Sequence, residues 1–258
     1  MNNKPKIYDC FLFYNELELL EIRLNILNDF VDKFVLLEST KTFNNNEKKL
    51  YYQNNKDKYK NFQDKIIHII LDEHPPFTKG WDYERYQRNC IIKGLDEAED
   101  DDVIILSDLD EIPNPNLLKQ IYKLPGIKVL KLPTFYYYLN LLTNDIAMCS
   151  RIFTKKHLNK LTMQEIRTQG DTLYVKDTGW HFSFIGDENF IKNKIENFSH
   201  QEFNTKEVKN NIKNNINKGV DIFSRKGFKT KFVNMSNNFP KYILDNLEKY
   251  KHLIKQKK

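Results

Sequence analysis

Short apolar runs alternate with amphipathic stretches through the first half of the chain. The runs occur at Ile7–Phe13, 34–37, Ile66–Leu71 and Val103–Leu106, and the fourth is rich in β-branched residues. Runs of this kind are typical of strands that are buried on both faces of a sheet. The stretches between them show helical spacing of apolar residues, as at residues 82–95. This alternation predicts parallel strands with right-handed crossovers, and so a doubly wound, mostly parallel α/β sheet.

Capping residues and polar segments set the predicted boundaries of this half. Asn15, with Glu18 three residues later, predicts the N-cap and an approximate capping box of the first helix. Leucines at positions 17, 20, 24 and 27 then mark one face of that helix. Residues 44–64 are polar and predict a loop with a short helix.

The pattern is less regular after Pro113. Helices are predicted to begin at Asn114, Thr162, Asp187 and Pro240, and strands to cover residues 129–132, 149–153, 173–176 and 179–184. The chain from Glu202 to Pro240 is polar, and no element is predicted there. An aromatic cluster at residues 135–140 has two interpretations: core packing, or a platform on which a pyranose ring stacks.

Three carboxylates follow the fourth apolar run within four positions. They are Asp108, Asp110 and Glu111, and Pro113 comes shortly after them. Ligands bind outside the carboxyl ends of strands in open α/β sheets, and carboxylate oxygens suit Mg²⁺ or Mn²⁺. Carboxylates crowded at a buried strand end also repel one another unless a cation lies among them. The motif therefore predicts a metal site, and a solvated acidic turn is the alternative.

Length and composition favour one domain. The chain has 258 residues, 40% of them apolar, and it contains no run that approaches the ~18 apolar residues of a membrane span. Its start has no apolar signal region, and its three cysteines are far apart. We therefore expect a soluble, cytoplasmic protein with reduced cysteines.

The net charge of +6 arises from 41 basic and 35 acidic residues, with much of the excess in the final third. A nucleic-acid partner would call for a basic stripe interleaved with stacking aromatics, and the sequence shows none. An anionic small substrate such as a nucleotide diphosphate is compatible with this charge.

Several motifs in order resemble glycosyltransferase family 17, the group of the β-1,4-mannosyl-glycoprotein 4-β-N-acetylglucosaminyltransferase. The full match is Asp-x-Asp-Glu-Ile-Pro at residues 108–113, and Gly-Trp-His-Phe-Ser at residues 179–183 follows it. Weaker matches occur at residues 15–20, 31–39, 75–88, 162–167 and 240–244. The resemblance covers nearly the whole chain, and the combination of motifs is more specific than one Asp-x-Asp.

The resemblance implies a nucleotide-sugar transferase of the GT-A type, with a C-terminal annex on the acceptor side. It suggests one domain over residues 1–258, with a nucleotide-binding half at 1–113 and an acceptor half at 114–258. The implied reaction moves a sugar, GlcNAc, from a UDP-sugar to a glycan or glycoconjugate acceptor, with inversion and a β-linkage. Mn²⁺ or Mg²⁺ is the implied cofactor, and UDP-GlcNAc the implied donor.

Residue roles follow from the same resemblance. Asp110 is expected to bind the metal directly, Asp108 through water or the ribose, and His181 as a third ligand. Arg88 and Arg167 are expected to neutralise the diphosphate, because guanidinium groups fit phosphate oxygens. Surface ion pairing is the alternative for both arginines.

Two further roles concern carboxylates. Glu38, at the end of the second strand, is expected to contact the base or ribose of the donor. Inversion also requires a carboxylate that accepts the proton of the acceptor hydroxyl. The candidates are Glu165, Glu111 and Glu202, and the sequence does not decide among them.

The sequence departs from the family pattern in two respects, and two alternative functions stay open. The membrane anchor and stem of the animal enzymes are absent from this sequence, so their acceptor does not carry over. The segment at residues 140–169 also matches the family poorly.

A non-catalytic sugar-binding module is one alternative function. The other is a haloacid-dehalogenase-type phosphatase, which places its Asp-x-Asp near the domain start, whereas here three predicted strands precede the motif.

Overall fold

The computed structural model describes residues 4–76, 79–169, 173–176, 178–236 and 238–255. Strands and helices are numbered along the chain. The strands in these ranges are β1 Ile7–Phe13, β2 Lys33–Ser39, β3 Ile66–Leu71, β4 Val103–Leu106, β5 Glu111–Pro113, β6 Lys128–Leu130, β7 Leu132–Tyr136, β8 Leu141–Ala147, β9 Arg151–Thr154, β10 Leu173–Val175, β11 Gly179–Ser183 and β12 Thr230–Phe232. The α-helices are α1 Leu17–Leu27, α2 Tyr51–Asn55, α3 Trp81–Cys90, α4 Pro115–Ile121, α5 Met163–Thr168, α6 Glu188–Asn197, α7 Lys206–Lys218 and α8 Lys241–Asp245.

The larger sheet has seven strands in the order β10-β6-β9-β4-β1-β2-β3. Every strand runs in the same direction except β9, which is antiparallel to both of its neighbours. The four apolar runs of the first half form the adjacent strands β4, β1, β2 and β3. The predicted fold class, an α/β protein with a mostly parallel sheet, is confirmed.

A second sheet has five strands in the order β12-β8-β7-β11-β5. Its short strand β5 begins at Glu111, so the last acid of the motif opens this sheet. Strand β11 is antiparallel to β5 and pairs His181 with Glu111. The motif therefore joins the two sheets, and this pairing brings His181 next to it.

The two sequence halves share one structure. Strands β6, β9 and β10 follow residue 113, yet they lie in the larger sheet, where β9 pairs directly with β4. One apolar core contains buried residues from both ends of the chain, from Ile7 to Leu253. The described helices all lack the combination of length and apolar character that crossing a membrane requires.

Several predicted boundaries were wrong. Helix α1 begins at Leu17 with Glu16 at the N-cap, so Asn15 does not cap it. The strand predicted at residues 129–132 is divided at Lys131 between β6 and β7, which lie in different sheets. The helix predicted at residues 82–95 is α-helical only to Cys90 and continues as a 3₁₀ turn.

Four elements, α7, β5, β8 and β12, had no counterpart in the prediction. Helix α7 lies in the segment that was expected to be plain polar chain, and it buries Ile212 and Ile216. Its apolar face is narrow, and the many Asn and Lys residues around it make the helical spacing of the apolar residues hard to detect in the sequence. Strand β8 alternates in burial, but its exposed positions have mixed character.

Core packing is the interpretation that fits most of the aromatic cluster. Phe135, Tyr136, Tyr137 and Leu139 are buried. The rings of Tyr136 and Tyr137 also pack on each other, with centroids 4.4 Å apart. These buried rings are not available as a sugar platform.

Candidate functional site

The acidic motif lies in the loop that connects the two sheets. Strand β4 ends at Leu106 and β5 starts at Glu111, so Asp108 and Asp110 lie between them at the carboxyl end of β4. The backbone carbonyl of Asp110 accepts a hydrogen bond of 2.8 Å from the Phe182 N–H. Strand β11 therefore holds the loop from the second sheet.

A buried arginine holds the same loop from the first sheet. Arg23 has no exposed surface, and it pairs with the equally buried Asp9 through two bonds of 2.8 and 2.6 Å. Its Nη1 donates to the carbonyls of Asp108, Leu109 and Glu111, at 2.9, 3.1 and 2.9 Å. Its Nη2 also donates to Ser107 Oγ. One guanidinium thus contacts four residues of the loop and fixes its path.

Two arginines contact the first acid of the motif. Arg167 Nη2 lies 2.5 Å from Asp108 Oδ2, and Arg88 Nη2 lies 3.3 Å from Asp108 Oδ1. Burial raises the pKa of Asp108, but the charges of Arg167 and then Arg88 outweigh it and lower this pKa to about 2. The side chain is still 41% exposed, so solvent weakens the pairing. Asp108 is therefore ionised at neutral pH and reachable from solvent.

Glu111 is surrounded by donors. Its Oε2 accepts hydrogen bonds from the Asp108 N–H, Ser150 Oγ and Arg167 Nη1, at 3.0, 2.9 and 3.2 Å. The residue is buried. This carboxylate braces the loop, and its surroundings argue against the predicted role as a base for an incoming hydroxyl.

Arg88 and Arg167, the predicted diphosphate ligands, both lie at the motif but are already paired. Arg88 donates to Glu84 Oε1 at 2.5 Å and to Gln164 Oε1 at 2.6 Å, besides its contact with Asp108. Burial lowers the pKa of Arg167, and the charges of Asp108 and Glu111 raise it further than burial lowers it. Both stay cationic, so they supply positive charge beside Asp108, and their contact with a phosphate stays a prediction.

The second acid of the motif has a different set of partners. Lys194 Nζ lies 3.0 Å from Asp110 Oδ2 and 3.3 Å from Glu16 Oε1. His181 Nε2 lies 3.6 Å from Asp110 Oδ1, and its Nδ1 lies 3.3 Å from Thr134 Oγ1. Burial lowers the pKa of Lys194, but Asp110 and then Glu16 raise it, with a net rise. The structure thus brings Asp110 and His181 together, as predicted, and adds a permanent cation.

The charges of this region can be compared directly. The ion pairs link five carboxylates, namely Glu16, Glu84, Asp108, Asp110 and Glu111, to three cations, Arg88, Arg167 and Lys194. Two negative charges therefore have no permanent counterpart within this network. A divalent cation would balance them, although much of the repulsion that motivated the metal prediction is already relieved by protein cations.

The fit of a metal ion depends on few protein ligands. Across the described ranges, no three His, Cys, Asp or Glu side chains converge closely enough to hold an ion by themselves. Asp110 and His181 form a pair that could supply two ligands, and the charge of His181 also contributes to the lowered pKa of Asp108. Residues of this chain therefore fit an ion whose other ligands come from water or from a bound phosphate.

Glu38 does not lie at this site as an open ligand. It is fully buried, and its Oε1 and Oε2 accept from the backbone N–H groups of Tyr52 and Gln53, at 2.9 and 3.2 Å. Lys48 and His68 also approach it, at 3.8 and 3.3 Å. It anchors the start of α2, and this geometry argues against the predicted contact with a nucleotide.

The other two base candidates are not among the carboxylates of the ion-pair network. Glu165 is exposed and completes a capping box, because its Oε2 accepts from Thr162 N and Thr162 Oγ1 at 2.7 and 2.8 Å. These bonds lower its pKa. Glu202 is exposed, accepts from His200 at 2.6 Å and lines a cavity of about 330 Å³. The bond from His200 lowers the pKa of Glu202.

Four residues of the site were missed at the level of sequence: Glu16, Arg23, Glu84 and Lys194. Arg23 carried a usable signal, since it is a charged residue on the face of α1 that also bears Leu20, Leu24 and Leu27. A charge in an apolar stripe implies a buried partner. Lys194 had no such signal, because lysine is common throughout this chain.

The sequence profile of glycosyltransferase family 17 matches residues 1–257 of the chain. Curated relatives with the name β-1,4-mannosyl-glycoprotein 4-β-N-acetylglucosaminyltransferase match a shorter segment. The protein of Rattus norvegicus is 31% identical over 116 residues, which are 42% of this chain and 22% of the rat protein. That of Homo sapiens is 31% identical over 107 residues, which are 38% of this chain and 20% of the human protein. The match therefore covers only a small part of these relatives.

Solved structures show distant likeness. The crystal structure of HddC from Yersinia pseudotuberculosis is 12% identical, with a TM-score of 0.41 over 70% of this chain and 91% of that one. The inositol-1-phosphate CTP transferase from T. maritima is 12% identical, with a TM-score of 0.39 over 86% of this chain and 100% of that one.

Proposed function

Because the chain belongs to glycosyltransferase family 17, we propose that it is a metal-dependent, inverting glycosyltransferase that moves GlcNAc from UDP-GlcNAc to a glycan hydroxyl. The new linkage would be β. The family assignment argues against a haloacid-dehalogenase-type phosphatase. It leaves a sugar-binding module without activity as the competing function.

One observation carries the metal-dependent part of the proposal. Asp110 and His181 approach each other at the carboxyl end of β4, where the ion-pair network has an excess of negative charge. Mn²⁺ or Mg²⁺ bound there would supply Lewis-acid stabilisation of the diphosphate leaving group. Lys194 orients Asp110 through its 3.0 Å contact and adds a positive charge beside the site of the leaving group.

The other cations prepare the donor site. Arg167 and Arg88 hold Asp108 in its ionised state, so that its exposed oxygens can accept from a ribose hydroxyl or a bound water. Arg23 keeps the loop backbone in place, which limits the freedom of Asp108 and Asp110 before a ligand arrives. Such preorganisation lowers the cost of binding charge in the transition state.

Inversion requires attack by the acceptor hydroxyl from the side opposite the diphosphate, with loss of its proton to a carboxylate. Glu111 is buried among donors, and Glu165 is occupied as a helix cap. Glu202 is the remaining predicted candidate, and it lines a cavity. We therefore assign the proton acceptor to Glu202 within this proposal.

The variant Asp110→Asn tests the metal site most directly. The amide keeps the shape of the side chain but loses the charge that a hard cation prefers. Transfer from UDP-GlcNAc with Mn²⁺ or Mg²⁺ should fall by about 10³ or more, because a Lewis acid contributes several kcal/mol. Circular dichroism should show an intact fold. Asp101→Asn is the matched control, since that side chain is 81% exposed and, among the described residues, its ion pair is with Lys156 at 3.3 Å.

Three results would count against the proposed function. A folded Asp110→Asn protein that transfers sugar at the wild-type rate would rule out the metal site. Thermal stabilisation by GDP- or CMP-sugars, and not by UDP-sugars, would rule out the donor. Sugar binding that is independent of both metal and nucleotide would instead favour the binding module.

A further inference from the structure

A second feature lies beside the ion-pair network: an open cavity of about 330 Å³ at the start of α3. Trp81 forms one wall, and the chain after α6 supplies Gln201 and Glu202. Asn44, Lys79 and Asp82 complete the polar lining. A pocket of this size is at the lower limit of small-molecule sites. We call it the Trp81 cavity.

The elements that form the Trp81 cavity also form the predicted catalytic site. Helix α3 begins with Trp81. Arg88, which contacts Asp108, lies seven residues and about 10 Å further along the same helix. Helix α6 carries Lys194 to Asp110, and the chain that leaves its end lines the cavity with Ser199. Two helices, α3 and α6, therefore connect the cavity to the acidic motif.

A chain of contacts connects the two places. Ser199 Oγ, in the cavity wall, donates to the carboxylate of Glu84. Glu84 in turn pairs with Arg88 at 2.5 Å, and Arg88 contacts Asp108 at 3.3 Å. Only two side chains thus separate the cavity wall from the motif.

The lining favours a neutral, hydroxylated ligand. Trp81 is 43% exposed, whereas Trp180, the other tryptophan, is 7% exposed. The ring of His200 meets the Trp81 indole at 81° with centroids 4.4 Å apart, which supports the indole. Asn44, Gln201 and Glu202 offer donors and acceptors around it. An aromatic face with a polar surround suits a pyranose ring, which has an apolar face and hydroxyl edges.

The charges of the cavity lining do not suit a phosphate group. Its lining has two carboxylates, Asp82 and Glu202, and one cation, Lys79. That balance disfavours a diphosphate, whereas the cations Arg88, Arg167 and Lys194 lie at the acidic motif. The donor phosphates therefore belong at the motif, and the Trp81 cavity is left for a different ligand.

We propose that the Trp81 cavity is the subsite that binds the sugar ring of the acceptor, stacked on Trp81 with its hydroxyls toward Gln201 and Glu202. This assignment rests on the proposed transferase function. It requires the donor sugar to extend from the motif along the Ser199–Glu84–Arg88 contacts, so that its anomeric carbon meets the acceptor hydroxyl. A uracil base stacked on Trp81 is the alternative occupant that the experiment must distinguish.

The kinetic experiment compares Trp81→Ala, Trp81→Phe and the control Tyr174→Ala. Tyr174 is a 48% exposed aromatic residue on β10, at the opposite edge of the larger sheet from β3. The probes are methyl β-D-mannopyranoside and methyl β-D-glucopyranoside as acceptors, with hydrolysis of UDP-GlcNAc in water measured separately. Trp81→Ala should raise the acceptor KM about tenfold, equivalent to about 1.4 kcal/mol. Trp81→Phe should raise it less, and Tyr174→Ala should leave it unchanged.

Donor hydrolysis and the KM for UDP-GlcNAc should stay within about twofold of wild type in Trp81→Ala. A rise in the donor KM with an unchanged acceptor KM would overturn the proposal in favour of the nucleotide base. An unchanged KM for both substrates would also overturn it.

Fluorescence distinguishes failure of the subsite from failure of the proposed function. Since Trp180 is buried, a glycoside that stacks on Trp81 should change the emission of wild type and not that of Trp81→Phe. That result would support the subsite even if no donor is turned over. Emission that stays constant with both methyl glycosides, up to about 100 mM and with UDP present, would reject the subsite while transferase activity stands.

Discussion

At the residue scale, the acidic motif is held by buried and half-buried cations. Arg23 is the most constrained of them, because its guanidinium bonds Asp9 and three loop carbonyls without any exposed surface. The desolvation of a buried charge pair costs free energy that offsets much of its attraction. We therefore infer that the main effect of this pair is to fix the conformation of the loop with Asp108 and Asp110.

Two substitutions separate these effects of Arg23. Arg23→Met leaves Asp9 buried without its partner and should destabilise the fold by about 3–5 kcal/mol. Arg23→Lys keeps the charge opposite Asp9 but loses most carbonyl bonds, so the protein should fold and bind metal and UDP-sugar more weakly. Urea unfolding and calorimetric titration measure the two effects. Arg85→Lys, at an exposed arginine of α3, is the control. Wild-type affinity and stability in Arg23→Lys would contradict this role.

The pairing of Asp108 predicts a pH dependence. Its pKa is lowered from 3.8 to about 2, so the folded state binds its proton more weakly than the unfolded state does. The pairing therefore makes its full contribution to the stability of the folded state above about pH 4. This contribution is lost as the pH falls toward 2. The free energy of unfolding in urea should be higher for the wild type than for Asp108→Asn at pH 6. This difference should shrink as the pH falls from 4 to 2. A difference that is constant over this range would refute the pairing.

At the element scale, the contact of β5 with β11 decides whether His181 reaches the motif. The two strands pair Gly179 with Pro113, Trp180 with Ile112 and His181 with Glu111. They approach very closely at Gly179, where a Cβ would lie 2.2 Å from the carbonyl oxygen of Ile112. Its φ of +155° is also one that side chains rarely adopt.

Gly179→Ala should therefore separate the two strands and move His181 from Asp110. We expect a fall in melting temperature and in metal-dependent activity. Gly227→Ala is the matched control, since Gly227 has a φ of +80° and no other described atom within 4 Å of an added Cβ. The control should lose only about 1–2 kcal/mol from its backbone conformation. Equal stability losses for the two variants would show that the close approach is unimportant.

At the scale of the whole molecule, the sheets connect the two halves of the sequence. Strand β4, with the motif at its end, lies between β1 of the first half and β9 of the second. A fragment of residues 1–113 would expose the β4 edge and much of the shared core. We therefore expect the two halves to behave as one structural unit.

This arrangement predicts cooperative unfolding. In Trp81→Phe, the remaining Trp180 reports on the second sheet, whereas far-UV circular dichroism reports on the whole chain. The two urea transitions should coincide, and the fragment of residues 1–113 should not fold alone. Separate transitions, or a stable fragment after mild proteolysis near residue 113, would show two independent units.

The sequence by itself determined the features that depend on neighbouring residues. The apolar runs became β1 to β4 because short apolar runs between polar residues suit the strands of a covered sheet, although β3 lies at the sheet edge and its Ile70 is 42% exposed. Asn114 and Asp187 cap their helices as expected, since a cap bonds backbone groups two or three residues away. The Asp-x-Asp motif likewise lies at the carboxyl end of its strand, as the parallel pattern predicts.

The tertiary structure decided which charges meet. Arg23 bonds the Asp108 carbonyl across 85 positions, and Lys194 bonds Asp110 across 84. Patterns with periods of two to four residues carry no information about such pairs, because the register of distant strands and helices brings them together. The same reason explains Glu38: its position at a strand end was visible, but the start of α2 that buries it was not.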